Sequence, residues 1–163
     1  MLLKPLVSIL LPIYNYSNFR PVVNSILKQD YNNFELLICD DGSNPPLKHF
    51  DFQDKRVKFI RNKINMGLGK TLNNLLIQVD KNAKYFSTIE QDDIYRSYFI
   101  SDCIKFLEKN IKFGLVSGIS EFWDGSRVTY KFPGMIAGGN DYPFGEEMFL
   151  LNYRRQIKVA QTC

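Results

Sequence analysis

Two short runs are apolar almost without a break, and each stops abruptly at polar turn residues. Val7-Ser8-Ile9-Leu10-Leu11-Pro12 is closed by a proline and followed by Ile13-Tyr14-Asn15. Phe34-Glu35-Leu36-Leu37-Ile38-Cys39 runs into Asp40-Asp41-Gly42-Ser43-Asn44-Pro45-Pro46. A run apolar at odd and even positions alike is buried on both faces, which is the mark of a strand inside a parallel sheet. Parallel neighbours need a crossover, and the segment between the two runs supplies one. From Asn18 to Gln29, Val22, Val23, Ile26 and Leu27 fall at helical spacing.

The alternation continues. Arg56–Arg61 reads as a third strand, Gly67–Asp80 as an amphipathic helix carrying Leu68, Leu72, Leu75, Leu76 and Val79, and Tyr85–Ile89 as a fourth strand. Ser97–Asn110 reads as a helix and Gly114–Ile119 as a fifth strand. Such a chain is expected to fold as an α/β protein, a mostly parallel sheet covered by helices, with its ligand beyond the carboxyl ends of the strands. After Ser120 the pattern changes. Asp124-Gly125 between extended residues signals a hairpin, Pro133–Tyr142 a glycine-rich loop, Gly145–Tyr153 a short helix and Gln156–Ala160 a last strand. No linker divides the 163 residues, so one domain is expected.

Composition removes several classes of function. The longest apolar run, Leu6–Tyr14, is far below the roughly 20 residues of a membrane-spanning helix. The opening Met1-Leu2-Leu3-Lys4-Pro5 does not read as a signal peptide. Cys39, Cys103 and Cys163 are widely spaced and His49 is the only histidine, which argues against a Cys/His zinc site or a histidine-based triad. Such cysteines suit a reducing, cytoplasmic setting. The net charge of +4 is scattered, without the basic stripe of a nucleic-acid binder, and permits only peripheral contact with an anionic membrane face.

What stands at the strand ends is acidic. Asp40 and Asp41 follow the second strand; Glu90, Asp92 and Asp93 follow the fourth. In a parallel sheet these share a rim with Tyr14 and Asn15. Carboxylates gathered without nitrogen or sulfur ligands suit a hard cation such as Mg²⁺ or Mn²⁺, with the phosphates of a nucleoside diphosphate completing its shell. Each motif has a plainer reading. Asp40-Asp41-Gly42-Ser43 can be a strand exit, Asp92-Asp93 a helix cap, and Asn65-Met66-Gly67-Leu68-Gly69-Lys70-Thr71 a helix start with a faint look of a phosphate loop.

Taken in order, the motifs resemble those of the family 2 glycosyltransferases, inverting enzymes with a GT-A fold. The resemblance rests on Val7–Asn15, Ser25-Ile26-Leu27-Lys28-Gln29, Phe34–Ser43, Asn65-Met66-Gly67 with Asn73, and Glu90-Gln91-Asp92-Asp93, and covers roughly residues 6–110. It implies that Pro12, Tyr14, Asn15 and Asp41, with Asp40 beside them, hold the nucleotide base. A carboxylate there can accept the imide N–H of uracil, which fits a UDP-sugar. It implies that Asp92 approaches the ribose and Asp93 the divalent metal, and that Gly67, Lys70 and Asn73 lie near the donor, with Lys70 a partner for phosphate. The general base that takes the acceptor hydroxyl's proton would be Glu147, with Asp141 in reserve. Glutamate there departs from the family's usual aspartate, and it follows the metal aspartate more closely than the family pattern leads one to expect.

Residues 1–110 would then form the donor half and 111–163 a shortened acceptor half, the acceptor being a glycan or lipid-linked saccharide. A non-catalytic nucleotide-sugar-binding module that needs a partner for its acceptor site is the alternative. A nucleotidyltransferase would need a basic glycine-rich loop after the first strand, and Ile13-Tyr14-Asn15-Tyr16-Ser17 is not one. Trp123, Tyr130 and Tyr142 are candidates for stacking on sugar or base.

Overall fold

The computed structural model describes residues 4–48, 53–118, 121–124, 126 and 128–131. The chain divides into two compact units, Met1–Ser97 and Tyr98–Cys163.

The first unit holds β1 (Leu6–Ile13), α1 (Arg20–Leu27), β2 (Phe34–Asp40), β3 (Val57–Arg61), α2 (Leu68–Ile77) and β4 (Ala83–Thr88). Its sheet has the order β3-β2-β1-β4, and every pairing is parallel. The two apolar runs lie at its centre, where every β2 residue and all of β1 after Leu6 are buried. The outer strands alternate between half-buried and exposed positions over much of their length, as expected where one face has less cover. Helix α2 packs on one face, placing Leu75 against Leu10, Leu37 and Cys39, with Ile60, Leu72 and Val79 around them. In α1, Pro21 stands in the first turn, where its missing N–H costs nothing, and Val22, Val23 and Ile26 form the buried stripe.

A buried charge stands near the amino end of the central strands. Glu35 accepts hydrogen bonds from the Ser8 hydroxyl at 2.6 Å, the Asp80 N–H at 2.7 Å and Lys58 Nζ at 2.7 Å. Burial alone would raise its carboxyl, but Lys58, Ser8 and the Asp80 amide outweigh this and hold it below its ordinary value. The arrangement lies at the amino ends of the strands and closes the rim opposite the candidate site. Cys39 and Cys103 are free thiols, both pushed up to about 11, mainly by burial.

The second unit contains α3 (Phe99–Lys109), with Ile100, Ile104 and Leu107 buried along one side, and the antiparallel pair β5 (Glu121–Trp123) and β6 (Val128–Lys131). The hairpin expected from Asp124-Gly125 is present. Asp124 Oδ1 accepts from both the N–H and the hydroxyl of Ser126, an Asx turn. The expected fifth strand at Gly114–Ile119 is corrected: residues 114–118 lie in no strand, and Leu115 is 63% exposed. Two large apolar residues between glycines give such a run too little surface to bury. Among the described residues no helix is long and apolar enough to cross a membrane.

Candidate active site

Parallel pairing puts the carboxyl ends of β1, β2 and β4 on one rim. Ile13 is level with Asp40, and Thr88 is level with Leu10. The chain therefore leaves the sheet there at Tyr14-Asn15, at Asp41-Gly42-Ser43 and at Glu90–Asp93, the groups expected from sequence.

The three exits are tied to one another. Asn15 takes a positive φ of 50°, which asparagine tolerates. Its N–H donates to Ser43 Oγ at 2.9 Å, and its Oδ1 accepts from the Asn44 N–H at 2.9 Å. On the other side, the Tyr14 N–H donates to Gln91 Oε1 at 2.9 Å. Tyr14 itself is 45% exposed, whereas Pro12 is buried within β1 opposite Cys39.

The two neighbouring aspartates do different work. Asp40 is fully buried. Its Oδ1 accepts from Ser43 N at 2.9 Å, its Oδ2 accepts from Leu47 N at 3.2 Å, and it forms an ion pair with Arg61, whose Nη2 also donates to the Ser43 carbonyl at 3.0 Å. Asp40 thus shapes the loop after β2.

Asp41 is 3% exposed and reaches across to the chain ahead of α2. Its Oδ1 accepts from Asn62 Nδ2 at 2.8 Å and Met66 N at 2.9 Å, and its Oδ2 from Gly67 N at 2.9 Å. Burial pushes the Asp41 carboxyl up, but hydrogen bonds from Asn62, Met66, Thr71 and Gly67 overcome this and hold it below the ordinary value. Asn62 is itself gripped, donating to Thr71 Oγ1 at 3.2 Å and accepting from Asn74 Nδ2 at 2.9 Å.

This settles the character of the Asn65–Thr71 segment. The Met66 and Gly67 amides, which a phosphate loop would offer to a ligand, are bound to the chain's own carboxylate. The segment is a helix start supported from 26 residues away. Gly67 stands before α2 at φ 81°, ψ 157°, a backbone region open essentially to glycine alone. Lys70 and Asn73 lie exposed in the first turns of α2.

The acidic group after β4 remains concentrated. Asp92 is exposed and Asp93 half-buried, in a turn where Asp93 N donates to the Glu90 carbonyl at 3.3 Å. Reduced hydration first, then the charges of Asp93 and Asp92, push the Glu90 carboxyl up. Negative charge of this density is relieved by a cation. Among the described residues no group of three acidic, histidine or cysteine side chains is arranged to hold a metal by itself. An ion here would take a few carboxylate oxygens and complete its shell from its ligand, as Mg²⁺ commonly does with phosphates.

Residues 8–158 match the sequence profile of Glycosyl transferase family 2. The chain belongs to that family. Family 2 relatives include the Escherichia coli protein named UDP-Glc:alpha-D-GlcNAc-diphosphoundecaprenol beta-1,3-glucosyltransferase WfgD, 31% identical over 130 residues, 78% of this chain and 50% of that one. The putative glycosyltransferase EpsE of Bacillus subtilis is 29% identical over 167 residues, 94% of this chain and 59% of that protein. The chain thus spans between half and three fifths of the length of these relatives. Among solved structures, residues 1–349 of S. aureus TarS in complex with UDP-GlcNAc superpose with a TM-score of 0.54 at 24% identity, covering 64% of this chain and 32% of that one. The parallel sheet with its helices is the GT-A type of α/β fold, as the resemblance implied.

The hydrogen bonds of the rim also involve residues that the sequence did not mark out. Asn62 and Gln91 both stand just beyond strand ends on the rim, at β3 and β4, where the rule that singled out Asp40 and Asp93 applied equally. Gln91 stood in the quoted motif without a role, and Asn62 was not singled out, because an amide's partner, unlike a cluster of carboxylates, cannot be read from its own segment. Thr71 and Asn74 gave no such signal, since their partners become visible only when α2 is docked. Glu147, Asp141 and Tyr142 lie outside the described residues, as does His49; the side chains of Trp123 and Tyr130 are likewise not described.

Proposed function

We propose that this chain transfers a sugar from a UDP-sugar to an acceptor hydroxyl, with inversion and with the help of Mg²⁺ or Mn²⁺. The observation that carries the reading is the joined rim itself: in a family 2 fold, the exits of β1, β2 and β4 bring Tyr14, Asp41 and the Glu90–Asp93 carboxylates to one edge of the sheet. The UDP-GlcNAc complex of TarS and the UDP-glucose in the name of WfgD support the donor class. The same name supports a lipid-linked saccharide as acceptor.

In this reading Tyr14 and Asp41 lie at the base. An ionised carboxylate accepts an imide N–H more strongly than a neutral carboxyl does, and the hydrogen bonds around Asp41 favour the ionised form. Asp92 accepts from ribose hydroxyls. Asp93 is the metal ligand, with Glu90 adding negative charge beside it. The bound cation would stabilise the charge that gathers on the diphosphate as the sugar–phosphate bond breaks. Lys70 adds a mobile positive charge for the same phosphates. The acceptor oxygen forms its bond to the anomeric carbon as UDP departs, and its proton passes to a base; in this reading Glu147, which stands where the family usually has an aspartate, takes that role, with Asp141 in reserve.

A donor screen read as hydrolysis tests this. Expected is slow release of UDP from one or a few UDP-sugars in the presence of Mn²⁺, reduced roughly 10²–10³-fold in Asp93→Asn. Release unaffected by Asp93→Asn overturns the metal assignment. Tight UDP binding without turnover of any donor, even with a broad acceptor panel, favours the binding-module alternative.

A further inference from the structure

The exits of β1 and β4 diverge at the rim. Their ladder ends with Thr88 level with Leu10, and its last cross-strand bond runs from Ile89 N to the Leu10 carbonyl at 3.1 Å. Beyond that point β1 continues for three residues beside β2 alone. Tyr14 and Gln91 therefore lie on opposite sides of a gap in the sheet edge, 77 residues apart in sequence. The Gln91 side chain crosses that gap, and its amide oxygen accepts the Tyr14 N–H at 2.9 Å. On its other flank the β1 exit is already fixed, by Asn15 to Ser43 and Asn44.

We propose that Gln91 is a positioning residue of the donor site, holding the loop that meets the base in register with the loop that meets the diphosphate. The inference rests on the donor-site reading above. Tyr14 belongs to the base end, and Asp92 and Asp93, next in the chain to Gln91, to the ribose and diphosphate end. A ligand that spans both ends gains from having them held at the right separation in advance, because it need not immobilise one loop against the other on binding. A ligand that fills one end gains nothing from the link. An amide suits the position for a second reason. A carboxylate could accept the same hydrogen bond, but it would place one more negative charge among Glu90, Asp92 and Asp93, where an anionic diphosphate must approach.

The test compares three probes on wild type and Gln91→Met, which keeps much of the side chain's length and removes the strong acceptor. The probes are UDP, uridine and inorganic pyrophosphate, each titrated with Mn²⁺ present, alongside a thermal melt. Loss of one hydrogen bond across the gap is expected to weaken UDP about 3- to 10-fold. Uridine and pyrophosphate should each stay within about twofold and the melting temperature should hold, since both half-sites remain intact. Unchanged UDP affinity overturns the inference. So does an equal loss for all three probes with a fall in melting temperature, the signature of a purely structural role. Wild type that binds none of the probes overturns the donor-site reading, and the inference falls with it.

Discussion

Gly42→Ala is expected to cost about 2–5 kcal/mol of stability and to abolish UDP binding. Gly42 adopts φ +72°, where an L-residue is strained, and a Cβ there would stand 2.3 Å from the Ile64 carbonyl carbon and 2.4 Å from the Asn65 nitrogen. Both are backbone atoms, so relief requires moving the strand of chain between β3 and α2. That chain includes the Met66 and Gly67 amides bound to Asp41. Strain at Gly42 therefore reaches the candidate base site directly. A thermal melt should show a fall of roughly 4–20 °C. Gly69→Ala is the control. A Cβ there meets nothing within 4 Å, and Gly69 lies within α2, so a gain of about 0.5–1 kcal/mol is expected. Equal stability of the two variants would contradict the account of the loop.

Asp41→Asn is expected to cost about 3–4 kcal/mol, although the side chain hardly changes in size. Four donors converge on the carboxylate: Asn62 Nδ2, Met66 N, Gly67 N and the Thr71 hydroxyl. An amide offers a single oxygen, and whichever way it turns its NH₂ faces a donor. The Asn65–Gly67 turn loses its anchor, and with it the start of α2. The sign of the pH dependence follows from the lowered carboxyl. Folding holds Asp41 below its ordinary value of 3.8, so its stabilisation is complete above that pH and is lost as pH falls through the lower folded value. The stability gap between wild type and Asp41→Asn, measured by denaturant titration, should therefore be widest near neutrality and narrow below pH 3.8. Asp92→Asn, at an exposed position, should leave stability unchanged within about 0.5 kcal/mol. A gap that does not narrow in acid would show that Asp41 is not the ionised anchor.

The sheet was legible because its signal is local. The nearly unbroken apolar runs at Val7–Leu11 and Leu36–Cys39 have few other fates in a chain alternating with amphipathic helices, and their abrupt polar ends marked the rim. Helix limits were less sharp: Asn18–Gln29 became Arg20–Leu27, and Gly67–Asp80 became Leu68–Ile77. End residues there are decided by capping and docking rather than by periodicity. The error at Gly114–Ile119 has the same root, since three apolar residues split by Ser117 and Gly118 do not specify a strand without a neighbour to pair with. The site was legible in its charges but not in their partners. Nothing near Asp40 announces Arg61, and nothing near Met66-Gly67 announces Asp41, because these contacts join segments 21–26 residues apart. The glycine-containing segment looked like a phosphate loop for a sound physical reason. Its amides do bind an anion, and the anion is the chain's own.

If this rim is the nucleotide-sugar donor site, calorimetric titration of the chain with UDP, with and without Mn²⁺ and beside ADP as the competing base, will show it. Expected is saturable UDP binding that Mn²⁺ tightens by about tenfold or more, ~1.4 kcal/mol, with ADP clearly weaker and the Mn²⁺ effect lost in Asp93→Asn. Equal affinity for UDP and ADP, indifferent to Mn²⁺, would contradict it.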